Sequence, residues 1–61
     1  MKNEQARIRE ALRRFDVADD ALMRETDVPV RDMRRIRDLR HDREQQLYDL
    51  IQAVRLYLKP A

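Results

Sequence analysis

Thr26-Asp27-Val28-Pro29 is the stretch that decides how this chain folds. Pro29 has no N–H to give a helix, and its ring pushes Val28 out of the helical region, so a preceding helix must end here. The same ring pre-sets the backbone for the first position of a new helix. The segment therefore reads as a sharp corner between two helical stretches.

Before the corner, Ile8, Ala11, Leu12 and Phe15 fall at i, i+3, i+4 and i+7, one stripe of a helix over about 3–14 with Asn3 at its cap. Asp16 reads as a second N-cap, with Asp19 and Asp20 in a first turn that the helix dipole favours. A short helix over 17–25 would follow, burying Val17 or Ala18, Ala21 and Leu22. After the corner, a third helix over 29–39 would turn Val30, Met33 and Ile36 inward and hold Asp32 near its positive end. A fourth, over 42–58, would stop before Pro60. No breaker separates Arg40 from His41, so these last two helices could fuse. The expected fold is all-α: a compact bundle of about four helices forming one domain over 1–61.

Composition agrees with helix and excludes several chemistries. Charged and hydrophobic residues each make up 43% of the 61 residues, the balance of amphipathic helices. Absence of cysteine rules out disulfides and sulfur-ligated metals, and one histidine, His41, cannot build a metal cage. With no glycine there is no phosphate-cradling loop. No apolar run reaches a membrane span, and Met1 to Gln5 lacks the apolar core of a secretion signal. His41 has no identifiable nucleophile or orienting partner beside it. A soluble cytoplasmic protein is expected, with no catalytic activity, cofactor or metal.

The segment from Asp20 to Arg37 has helix-turn-helix spacing. It resembles the helix-turn-helix of small phage and plasmid repressors, and its turn is similar to the opening motif of MerR-type regulators. Leu22, Val28, Met33 and Ile36 match that pattern's apolar positions in order. The chain departs from it at Met23, where the family usually has Ala, and at Asp27, where it has Gly in a left-handed backbone. The resemblance covers residues 20–37 and implies a DNA-binding transcriptional regulator, most simply a repressor.

Charge segregation points the same way. Residues 31–40 hold five arginines against two acids, whereas residues 17–27 hold one arginine against four acids. A guanidinium can bridge guanine O6 and N7 in the major groove or clamp a phosphate. Arg31, Arg34, Arg35 and Asp38 are the expected groove-facing residues, with Arg7, Arg13, Arg14, Arg40 and Arg43 on flanking phosphates of double-stranded DNA. The same arginines, interleaved with acids, could instead form a solvated face of helical ion pairs.

The C-terminal helix reads as an assembly element. Leu47, Leu50, Ile51, Val54, Tyr57 and Leu58 form two adjoining stripes, more than short partner helices can cover. Dimerisation through them would place two recognition helices on one side, matching a short palindromic operator. The alternative is a small helical module, or a phage-encoded inhibitor, that binds another protein through this surface. A third option, an RNA-binding helical hairpin, is weighed down by Pro29, which an uninterrupted hairpin would not need.

Overall fold

In the computed structural model, which describes residues 2–59, two helices of 25 residues each account for almost the whole chain: α1 over Lys2–Thr26 and α2 over Met33–Tyr57. Six residues, 27–32, join them. The molecule measures 50 × 14 × 11 Å. A helix of 25 residues is about 38 Å long, so both must lie along the long axis, side by side and antiparallel. The result is a helical hairpin.

This corrects the four-helix expectation. The helices expected over 3–14 and 17–25 are one, and so are those expected over 29–39 and 42–58. The reason is visible at Phe15-Asp16-Val17. Asp16 is a good cap, but with no Gly or Pro nearby the backbone gains more by continuing its i→i−4 hydrogen bonds than by stopping for one side-chain bond. Asp19 and Asp20 therefore sit in mid-helix, where Asp20 pairs with Arg24 one turn on at 2.9 Å.

The corner at Thr26–Pro29 is real. Thr26 Oγ1 donates to the Met23 carbonyl at 2.9 Å, and the Asp27 amide reaches the same oxygen at 3.1 Å, closing α1. No non-glycine residue among those described takes a positive φ, so the left-handed backbone expected at Asp27 is not used. The next helix opens later than expected. Asp32, not Pro29, marks its start: the backbone there is extended, at φ −87° and ψ 100°, and Oδ1 accepts from the amides of Arg34 at 3.1 Å and Arg35 at 3.2 Å. Val30 and Met33, expected inward, consequently lie in or beside the connector and are 87% and 64% exposed. At the far end the Leu58 amide reaches the Val54 carbonyl at 2.9 Å, and Pro60 lies outside the described residues.

The two helices meet along a seam with alternating spacings of four and three. On α1 it comprises Glu4, Ile8, Ala11, Phe15, Ala18, Leu22 and Glu25, each buried or half-buried. On α2 it comprises Ile36, Leu39, Arg43, Gln46, Leu50 and Ala53. Such spacing keeps one stripe of each helix facing the other at a shallow crossing angle. Among the described residues the buried hydrophobic ones are Ala11, Ala18, Leu22, Ile36 and Ala53, and three alanines among five let the backbones approach closely. Of the two alternatives Val17 and Ala18, Ala18 is the buried one and Val17 is exposed. Three polar links fix the register: Gln5 Nε2 to Tyr57 Oη at 3.4 Å near the open end, Arg43 Nη1 to Asp19 Oδ1 at 3.0 Å in the middle, and Arg35 Nε to Glu25 Oε2 at 3.0 Å near the connector.

Candidate interaction surface

A hairpin has two long edges, and the sequence makes them unlike each other. Taking the helix as about 100° per residue, Arg7, Glu10 and Arg14 flank one side of the α1 seam and Leu12 the other. On α2, Asp49, Gln52 and Leu56 flank one side; Leu47, Val54, Leu58 and Ile51 run along the other. The antiparallel pairing then joins like flanks.

The polar edge is an open groove of about 540 Å³ lined by Arg7, Glu10, Arg14, Asp49, Gln52 and Leu56. Glu10 is its electrostatic centre, receiving Arg13 Nε at 3.0 Å and lying 3.5 Å from Arg14 Nε. The hydrogen bond from Arg13, helped by the positive charge of Arg13 and Arg14, holds the Glu10 carboxyl below its ordinary value, and the Arg13 guanidinium is correspondingly raised.

The apolar edge carries Leu12 from α1 and Leu47, Ile51, Val54 and Leu58 from α2. Leu12 is 45% exposed, Leu47 40% and Leu58 67%, while Ile51 and Val54 are half-buried. Tyr48, exposed, extends this surface outward, joining Leu47, Ile51 and the carboxylate Glu44 around a shallow dimple. The Arg43–Asp19 bridge lies on the same edge, so its two charges neutralise each other there.

The six residues expected to drive assembly thus divide. Leu50 falls on the intrachain seam, and Tyr57 continues that row, accepting from Gln5. Leu47, Ile51, Val54 and Leu58 stay outside it. Leu12 was expected among the inward residues of the first helix but belongs with them on the outer edge. Its signal was in the sequence: the spacing of Ile8, Ala11, Phe15, Ala18 and Leu22 continues without a break and leaves Leu12 to one side.

The expected DNA-contacting residues also separate. Arg35 is engaged with Glu25, and Arg14 with Glu10. Arg31 lies in the connector, and Arg34, Asp38 and Arg40 project from the first half of α2, all exposed. Arg7 lines the polar groove. Among the described residues, Arg31, Arg34, Arg37 and Arg40 form no ion pair. A helix-turn-helix sets its two helices at a steep angle across a short turn, whereas the helices flanking residues 27–32 run side by side. No helix among the described residues is long and apolar enough to cross a membrane. Comparison with protein-family models, curated proteins and solved structures finds no match.

Proposed function

We propose that this chain is a helical interaction module, acting by docking the Leu12–Leu47–Leu58 edge against another helical surface and not by catalysis. One observation carries this reading: an apolar strip runs along one edge of the hairpin while the other edge is polar and ion-paired. Burying such a strip removes apolar surface from water at roughly 25 cal/mol per Å². Contiguous exposed apolar surface rimmed by polar groups is the usual mark of a partner site. A tagged chain recovering one stoichiometric protein, either an untagged copy of itself or another chain, with recovery lost in Leu47→Asp and kept in Arg34→Ala, is the expected result. Recovery unaffected by Leu47→Asp would overturn it.

Nucleic-acid binding is a second reading, favoured by the exposed, unpaired Arg31, Arg34, Arg37 and Arg40. In a hairpin these groups suit phosphate contact better than base readout, because the helix that carries Arg34, Arg37 and Arg40 lies along its neighbour. Binding to duplex should then weaken steeply with salt, with a slope near −0.9 per phosphate neutralised. Sequence preference should be slight, and Arg34→Ala should weaken all duplexes alike. A flat salt response removes this reading.

A further inference from the structure

We infer that the occupant of the apolar edge is a second copy of this chain, so that two hairpins pair along it as a dimeric four-helix assembly. The inference rests on the reading of that edge as an interaction surface and names its partner.

Three observations favour a second copy over an unrelated protein. The first is area. The chain exposes 5429 Å², whereas a compact monomer of this mass exposes about 4,200 Å². The surplus, roughly 1,200 Å², exceeds the approximately 800 Å² that each partner contributes to a standard specific interface. The second is the poverty of the intrachain core. Among the described residues five hydrophobic ones are buried, three of them alanine, and none of the larger side chains is fully buried. Chains of this size commonly complete their core by oligomerisation, and a second copy is the one partner present whenever the chain is.

The third is charge. A two-fold interface sets the same surface against itself, so an excess of one sign of charge on it would repel its copy. Here Arg43 and Asp19, beside the middle of the strip, are bonded to each other at 3.0 Å, and the other charges bordering Leu47, those of Arg40 and Glu44, are of opposite sign. The apolar residues can close over this bridge, and a second copy can set Arg40 and Glu44 against charges of opposite sign.

Sedimentation equilibrium on the full chain across the micromolar range, with thermal melts at each concentration, tests the inference. The expected mass is twice the 7.5 kDa of one chain, and the melting midpoint should rise with concentration, as it does when folding and association are linked. Leu47→Asp combined with Val54→Asp should abolish both effects. Val17→Asp, exposed and on the far side of α1 from Leu12, should leave them intact. The concentration dependence of the unaltered chain keeps the test decisive even if the double variant does not fold.

A 7.5 kDa mass and a midpoint independent of concentration would overturn the second-copy inference. So would a dimer that survives the double substitution. In the monomeric case the apolar dye anilinonaphthalene sulfonate separates the two claims. Dye binding lost in Leu47→Asp leaves the edge an interaction surface for some other partner. No dye binding at all removes that reading as well.

Discussion

Arg43 Nη1 donates to Asp19 Oδ1 at 3.0 Å, joining the middle of α2 to the middle of α1 across twenty-four residues of sequence. Both side chains are partly screened from water, at 42% and 34% exposed. Arg43 also occupies a seam position where an apolar residue would pack, so the bridge sets register at some cost in burial. Asp19→Ala or Arg43→Ala should destabilise the hairpin by about 0.5–1 kcal/mol. The exchange Asp19→Arg with Arg43→Asp should recover part of that loss. A double-mutant cycle on urea midpoints checks the coupling, and strictly additive effects would show that the contact contributes nothing.

Gln46, one turn further along the same seam, has a buried side-chain oxygen with no hydrogen-bond partner. An unsatisfied acceptor costs about 1–3 kcal/mol. Gln46→Met fills similar space without that penalty and is expected to raise the thermal midpoint. A fall instead would mean that the amide contributes a polar contact worth more than the methionine packing.

Asp32 holds two amides at the start of α2 with one carboxylate oxygen. Asp32→Ala should cost about 1 kcal/mol, and Asp32→Asn considerably less, since an amide oxygen caps almost as well. Amide hydrogen exchange at Arg34 and Arg35 is the local readout. Faster exchange there in Asp32→Ala, with protection at Ala53 reduced only by the global loss, is the expected pattern.

Glu10 titrates below its ordinary value because Arg13 hydrogen-bonds the ionised form. A carboxyl depressed in the folded state contributes stability above its unfolded value and loses that contribution as pH falls through the folded one. The gap in melting midpoint between the unaltered chain and Glu10→Gln should therefore be steady near neutrality and close in acid, below about pH 4.5. The effect is small, because the pair is exposed and screened by water. A gap that widened in acid would contradict the sign.

The sequence by itself determined that this chain is helical, where it breaks, and much of what it buries. Pro29 enforces the corner by steric and hydrogen-bonding limits that no tertiary contact can lift. Ala11, Leu22 and Ile36 were legible from spacing, and Ala18 as one of two alternatives with Val17, because neighbours at three and four residues share a helix face whatever lies opposite. Local signals misled where they were weak, as at Asp16, whose capping preference lost to an uninterrupted helix. Pro29 also misled in another way. It counted against a hairpin, yet the six-residue connector gives it a place in which no helical hydrogen bond is required.

Tertiary structure alone decided which stripe turns inward. On α2 the apolar positions span more than one face, and periodicity cannot say which of them a neighbouring helix will cover. The antiparallel pairing, pinned by Gln5–Tyr57, Asp19–Arg43 and Glu25–Arg35, covers Leu50 and Ala53 and leaves Leu47 and Leu58 in water. That choice depends on the joint geometry of two helices, and a helix read by itself contains only half of it.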